Sequence, residues 1–369
     1  MNTSNRTVCS RPVLLAALAG TCVSALAGPL NPPGGPITST YKTLNEIEPR
    51  LPIDSNYAPG DADAVFKISF AGSYYATGSV TIFGARAYLE IAASNVTVDL
   101  SGFRISGSAG TIDGIFIAPG VTNVRIRNGS VVFFSQDGID LTGVTGCVVE
   151  DVTVANCSGT GIRAGQGTLL TRCIANNNGG EGFNLPSAAV ATECTARANS
   201  TYGFFGSGAA QITHCGAHAN GNSGIYVTTG SLVSDCTASS NGSYGIGMVL
   251  NADAVTITNN SCNTNTVGGI LVAGNALVKG NSVTSNPNVT NILLTGSGAR
   301  VEGNTTRGTG FAVSSAVGAA DNFVIGNWHY SGNGSNGFSG LAAATNVVGP
   351  VVTTAGTITT TNPWANFTR

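Results

Sequence analysis

A glycine followed by a large apolar residue recurs along this chain. It occurs at Gly114-Ile115, Gly138-Ile139, Gly161-Ile162, Gly182-Phe183, Gly203-Phe204, Gly224-Ile225, Gly245-Ile246, Gly269-Ile270 and Gly310-Phe311, with Asn291-Ile292 filling the late gap. The steps are 24, 23, 21, 21, 21, 21, 24, 22 and 19 residues. Other positions keep the same register. Cys173, Cys194, Cys215 and Cys236 stand nine before the glycine, Ala175, Ala196, Ala217 and Ala238 seven before, and Asn178, Asn199, Asn220 and Asn241 four before. A unit this short cannot bury its own apolar face, so it must stack on its neighbours.

The small and apolar residues alternate around each glycine, which is the period of a strand with one buried face. A unit of about 21 residues is too short for a strand–helix–strand crossover but holds three short strands and three bends, one coil of a parallel β-helix. Composition agrees. Glycine supplies 51 of 369 residues and charged residues only 9 %. Ordinary domains carry about 7 % glycine and about 25 % charge. Glycine weakens helix interiors, which argues against a helix-rich fold. With 42 % hydrophobic residues and mean hydropathy +0.20 the chain is not disordered. With 16 Lys+Arg against 18 Asp+Glu it lacks the basic patch of a nucleic-acid binder. In stacked coils like residues meet across rungs about 4.8 Å apart. The asparagine file is expected to make the bend, because Asn tolerates the left-handed conformation, and to pass its amide to the next coil.

The repeated N-x-x-x-G-[IF] units and Asn95-Val96-Thr97-Val98-Asp99-Leu100-Ser101-Gly102-Phe103 resemble the secreted right-handed parallel β-helix proteins of the pectin-lyase-like fold. Asn362-Pro363-Trp364-Ala365-Asn366-Phe367 resembles the tail of an uncharacterised bacterial subgroup. The resemblance spans residues 40–369 and implies an all-β, right-handed solenoid. It supplies no catalytic residue. The Gly-His-Gly of polygalacturonases, the Arg-x-Pro-x-x-Arg of pectate lyases and the Asp-Pro-His-Asp of alginate epimerases do not occur.

Along the chain, Arg6 and Arg11 precede an apolar run that closes on Ala25-Leu26-Ala27, the order of a secretory signal peptide over 1–27. Its removal moves the formal net charge from -2 to -4. The run is too short to span a membrane. The expected location is secreted, cell-surface or periplasmic. Residues 28–40 read as a Pro/Gly-rich linker and 41–94 as an N-terminal cap with a short helix at 41–51. Residues 95–340 read as about eleven coils, and 341–369 as a C-terminal cap plugged by Trp364 and Phe367.

Seven cysteines follow the signal. In-register stacking keeps their Cβ atoms near 4.8 Å apart, wider than a disulfide usually takes, so they read as a file of small buried thiols. Function is sought in outward files. One before the glycine stand Asp113, Asp137, Thr160, Glu181, Tyr202, Ser223 and Tyr244. Two after it stand Phe116, Asp140, Arg163, Asn184, Phe205, Tyr226 and Gly247. This stripe is acidic toward its N-terminal half and aromatic toward its C-terminal half. Aromatic faces stack on sugars, and carboxylates, amides and guanidinium groups bind hydroxyls and uronates.

Glu181, Asn184, Tyr202, Phe205, Tyr226 and Tyr244 are therefore expected to bind a polysaccharide or cell-surface glycan. Asp113, Asp137, Asp140 and Arg163 are the candidate catalytic group of a lyase or glycoside hydrolase. Ca²⁺ is a candidate ion there; no other cofactor is expected. A passive rod is the third reading. A further file, Asp151, Arg172, Glu193, His214 and Asp235, alternates in sign and reads as cross-strand charge pairing. Its rival is a metal site formed by Glu193, His214 and Asp235 with His218 alongside. His329 is expected at the surface.

Overall fold

The computed structural model describes residues 50–284, 290–331, 337–342, 345–353 and 360–369. One coil shows how the sequence builds the rest. Leu169–Thr171 forms a strand, Arg172 turns the chain at φ 52°, and Ile174–Asn176 forms the next strand. Asn177 then turns it again at φ 56°, Phe183–Leu185 forms the third strand, and Ala188 turns at φ 58° into the following coil. Each strand pairs in parallel with its equivalent one coil on: Leu170 with Ala191, Ala175 with Ala196, and Phe183 with Phe204. Three rows of strands result. The first two rows share a sheet, bridged by the long strands Val124–Val132 and Val148–Ala155. The third row is a separate sheet of 13 strands, which is 12 full turns, and no helix occurs among the described residues.

Alternation along each strand sends one residue inward. The first row contributes Leu170, Ala191, Ile212 and Val233, and the second Ala175, Ala196, Ala217 and Ala238. The third contributes Ile162, Phe183, Phe204, Ile225 and Ile246; all of these are fully buried. Phe183 and Phe204 stack with ring centroids 4.8 Å apart and planes 12° apart. The thiols of Cys147, Cys157, Cys173, Cys194, Cys215, Cys236 and Cys262 are buried and unpaired.

The asparagine file does its work differently from expectation. The residues at positive φ are Asn177, Ala198, Ala219 and Ser240, each one before the file. Asn178, Asn199, Asn220 and Asn241 instead point inward and are fully buried. Each Nδ2 donates to the Oδ1 of the next coil's asparagine at 2.9–3.0 Å, and that Oδ1 also accepts the backbone N–H of the asparagine below. The second amide hydrogen goes to a carbonyl of the preceding coil, as from Asn220 to Ala196 at 3.2 Å. A buried amide is thus satisfied only by another one rung away.

The cysteine file continues into a second ladder of the same kind. The backbone N–H of Cys236 donates to Asn260 Oδ1 at 2.9 Å, and Asn260, Asn281, Asn304, Asn327 and Asn366 then pass amides along at 2.9–3.1 Å. Below it the thiol substitutes for the amide, with Cys215 N–H donating to Cys236 Sγ at 3.4 Å.

The repeating glycines are demanded by packing. A Cβ on Gly203 would lie 2.6 Å from the Gly224 carbonyl oxygen and 2.7 Å from Asn220 Nδ2. The φ there is not left-handed, so steric room alone selects glycine.

At the ends, the ladders begin within the segment assigned to the N-terminal cap. Leu51–Pro52 pairs with Gly72–Tyr75, and Ala64–Ile68 with Ala87–Ile91. Leu51 is therefore strand, not helix; the rest of the helix expected at 41–51, up to residue 49, lies outside the described residues, as do the signal peptide and linker. At the other end Asn366–Thr368 adds a rung by pairing with Trp328–Tyr330. Trp364 is not a plug: it is 52 % exposed, and the buried residues beside it are Ala365 and Asn366. Phe367 is half-buried and faces out beside Trp328.

His329 is also corrected. It continues the inward alanine file through Cys262, Val283 and Thr306 and is fully buried, with Nδ1 2.9 Å from Thr306 Oγ1. No helix among the described residues is long and apolar enough to cross a membrane.

Removing one ladder amide strands two buried donors on the preceding rung, as Asn220 would for the N–H and Nδ2 of Asn199, and takes a donor from Asn241 Oδ1 on the next. Asn220→Ala is expected to cost about 2–4 kcal/mol. Cys236→Asn, which extends the second ladder by one rung, is expected to stay within about 1 kcal/mol of wild type. Gly203→Ala is expected to cost about 3 kcal/mol through overpacking. Chemical denaturation of the three variants checks the ranking.

Candidate functional site

The third row carries the stripe. Its outward file runs in paired register through Lys67, Glu90, Phe116, Asp140, Arg163, Asn184, Phe205, Tyr226 and Gly247. The stacking predicted for Asp140, Arg163, Asn184, Phe205 and Tyr226 is therefore present, one residue per rung. Lys67 and Glu90 extend the file and are joined by an ion pair at 2.9 Å. Sequence reading missed these two. Their steps of 23 and 26 residues match the coil length, but no Gly-Ile pair marks them.

The acidic half is a connected network centred on Asp137, which is 8 % exposed. Its Oδ2 accepts Arg163 Nε at 2.7 Å and its Oδ1 accepts Thr160 N–H at 2.6 Å, while its own N–H donates to Asp113 Oδ1 at 2.8 Å. Arg163 also donates to Thr160 Oγ1 at 3.2 Å, and that hydroxyl donates to Glu181 Oε2 at 2.8 Å. Thr160 is the hub that the residue types alone did not single out; its place in the same file was the available signal.

Asp140 stands apart from the network. Its Oδ1 accepts both N–H and Oγ1–H of Thr142, at 2.8 and 2.6 Å. Burial pushes the Asp113 carboxyl up to about 6, and the nearby Asp137 and Asp140 charges push the same way. The N–H of Asp137 and the Arg163 charge oppose the rise. The bond to Asp137 holds the Arg163 guanidinium above its ordinary value.

Several of these carboxylate oxygens already have partners. Both oxygens of Asp137 and one each of Asp113 and Asp140 are already taken by N–H or O–H donors, and the Arg163 guanidinium fills the space between rungs with positive charge. Calcium needs six to eight oxygen ligands turned to one point. Among the described residues no group of three His, Cys, Asp or Glu side chains is placed to hold a metal.

The aromatic half is a cluster. Tyr202 and Tyr226 stack at 4.9 Å, Phe205 and Tyr226 at 6.2 Å, and Tyr202 meets Phe205 tilted at 5.8 Å. All three rings are half-buried, because part of each face is covered by a neighbouring ring. The Tyr226 ring lies over Gly247 and the Tyr244 ring over Gly268; a Cβ at either glycine would meet ring carbon at about 3 Å. Tyr244 makes no ring stack with the other three among the described residues. Beside Arg163 and Asn184 lies a shallow depression of about 390 Å³, also lined by Thr142, Thr145, Gln166 and Pro186.

The alternating charge file follows a bend: Asp151 lies within the long strand Val148–Ala155, and Arg172, Glu193, His214 and Asp235 lie between strands. Asp151, Arg172, Glu193, His214 and Asp235 all occupy the first bend at φ 52–55°. Only Arg172 and Asp151 close a pair, through two bonds of 2.7 and 2.8 Å. At a bend the side chains splay, so adjacent rungs do not hold the others in contact. His218 sits on the second row with Nδ1 2.7 Å from Ser239 Oγ, away from that file.

A three-row parallel solenoid with buried amide ladders and one decorated sheet is the architecture of the β-helix class. The chain belongs to the family described as the right handed beta helix region, whose sequence model matches residues 89–231 and 204–306. The coils are thus right-handed. Two similar solved structures are A-modules of the Azotobacter vinelandii mannuronan C-5 epimerases AlgE4 and AlgE6. The first has a TM-score of 0.55 at 17 % identity over 76 % of this chain and 91 % of that one. The second has a TM-score of 0.50 at 17 % identity over 81 % and 90 %. No curated protein matches by sequence.

The Asp113 carboxyl gives a pH signature. Its folded value is raised, so the penalty for ionising it is absent below about pH 4 and fully present above about pH 6. Stability from this group therefore falls as pH rises through that window. The melting temperature of Asp113→Asn is expected to rise relative to wild type between pH 4 and pH 7. Parallel thermal melts across that range test it.

Proposed function

We propose that this is an exported β-helix protein that binds a polysaccharide along the third-row stripe without turning it over. The observation that carries the reading is the register itself. From Asp140 to Tyr226 each successive rung offers one outward polar or aromatic side chain. The repeat of about 4.8 Å suits an extended polymer lying along the ladder. Asn184 and Glu181 offer amide and carboxylate contacts to hydroxyls, and the half-exposed Tyr202, Phe205, Tyr226 and Tyr244 offer ring surface. The locked state of Asp137, neutralised by Arg163 and held by a backbone N–H, supports binding over chemistry. The signal-peptide pattern at 1–27 supports export. The polymer named for the two epimerase modules, mannuronan, is the first to test.

One observation favours a second reading, catalysis. Asp113 is raised to about 6 while its neighbour Asp137 is ion-paired to Arg163. Two adjacent carboxyls in such different environments are the arrangement that supplies an acid and a base.

Retention on immobilised mannuronan, other acidic polymers and neutral polymers separates the readings. Binding is expected, about tenfold weaker in Tyr202→Ala/Tyr226→Ala, with no new unsaturated or reducing ends. Turnover lost in Asp113→Asn or Asp137→Ala would install the catalytic reading. Neither retention nor turnover across the panel would leave a passive rod.

A further inference from the structure

A different face carries a second aromatic surface of another kind. On the second row, near the C-terminal end, Trp328–Tyr330 alternates outward, inward, outward. His329 is fully buried and bonded through Nδ1 to Thr306 Oγ1, which also donates to the Trp328 carbonyl at 3.3 Å. That anchor fixes the strand and holds Trp328 and Tyr330 on the outer surface, 48 % and 41 % exposed. Both belong to the ladder: Thr305 pairs with Trp328 and Arg307 with Tyr330. A shallow depression of about 360 Å³ is lined by these two rings with Thr284, Thr305, Thr306 and Arg307. That volume is within the range of about 300–1,000 Å³ typical of small-ligand sites.

Two features distinguish this surface from the stripe. The stripe's rings stack on one another, whereas Trp328, with Thr305 on one side of it in the ladder and Phe367 on the other, keeps 48 % of its surface exposed. Its cation is also unspent. Arg300 and Lys279 on the adjoining row share Glu302 at 2.5 and 2.7 Å, and Arg163 and Arg172 hold Asp137 and Asp151. Arg307 makes no ion pair among the described residues. Its guanidinium carbon sits 5.4 Å from the Tyr330 ring centroid, held at the edge of the depression.

We propose that Trp328, Tyr330 and Arg307 form a subsite for a pyranose that carries an anionic group, a carboxylate or a sulfate. The half-exposed tryptophan offers ring surface to the sugar's C–H groups. Thr284 and Thr305 line the depression with hydroxyls, and Arg307 offers a planar pair of donors to the anion. The site does not rest on glycan binding at the stripe, since it shares no residue with it.

The chain has two tryptophans, so Trp364→Phe leaves Trp328 as the sole indole reporter. In that background Trp328 emission is followed during titration with an oligogalacturonate, a sulfated oligosaccharide and a neutral cello-oligosaccharide. The expected result is a saturable change with at least one anionic oligosaccharide. Which of the two acts identifies the anion. Arg307→Gln is expected to weaken the response about tenfold, as is the neutral sugar, while Tyr202→Ala/Tyr226→Ala leaves it unchanged. No saturable change with either anionic oligosaccharide would overturn the proposal, as would an equal response to the neutral one. Light scattering that shows a dimer dispersed by Trp328→Ala, without any saccharide response, would assign the surface to a second copy of the chain instead.

Discussion

A buried primary amide has two hydrogens to place and an oxygen to fill, and in this solenoid one arrangement satisfies all of them. Each asparagine gives one hydrogen to the amide above and one to the carbonyl below, and its oxygen receives the amide and the backbone N–H of the rung beneath. The arrangement holds only if successive coils lie in strict parallel register. Any slip would leave several buried polar groups unmet at once. The ladders therefore set the register that the smooth apolar files, which could slide past one another, do not. They also stabilise left-handed residues such as Ala198 and Ala219, whose φ of 53° an alanine adopts only at a cost.

The two ladders change over along the rod. Among the described residues the first is traced from Asn178 to Asn265 and the second from Asn260 to Asn366, so both are present on the coil that holds Asn260 and Asn265. Before the overlap the second file holds thiols. A cysteine is small and apolar but still offers a weak acceptor to the N–H below, as Cys236 does to Cys215. From Asn178 to Asn265 one bend of each coil is thus held by amides, while the opposite bend is at first merely filled. Burial pushes Cys157 up to about 11 and raises Cys147 and Cys262, so these packed thiols stay protonated.

Much of this was legible in the residues, because stacking converts sequence period directly into spatial neighbours. The Gly-Ile steps disclosed the third row, and with it the register of Asp140, Arg163, Asn184, Phe205 and Tyr226. The errors share one cause. Period gives the file a residue belongs to but not whether that file faces in or out once the steps drift. His329 was misplaced because the alanine file reaches it through Cys262, Val283 and Thr306, residues too unlike alanine to be recognised as its continuation. The charge file was misjudged because bend and strand positions repeat with the same period. Asparagine's tolerance for left-handed φ was a sound generalisation applied one residue too late. Within the stripe, the types of Asp113, Asp137 and Arg163 were visible, but Thr160 as their hub depends on side-chain reach that no spacing encodes. The mutual stacking of Tyr202, Phe205 and Tyr226 depends on it too.

The thiol file has a use beyond packing. A sulfhydryl reacts as the thiolate and only when solvent reaches it, and Cys173, Cys194, Cys215 and Cys236 are sealed in the middle of the rod. Each is a chemical gauge set at a known height on the column. The rate at which an alkylating reagent finds each one reports how often the column parts at that level, and so whether it frays from its tips or breathes at its waist.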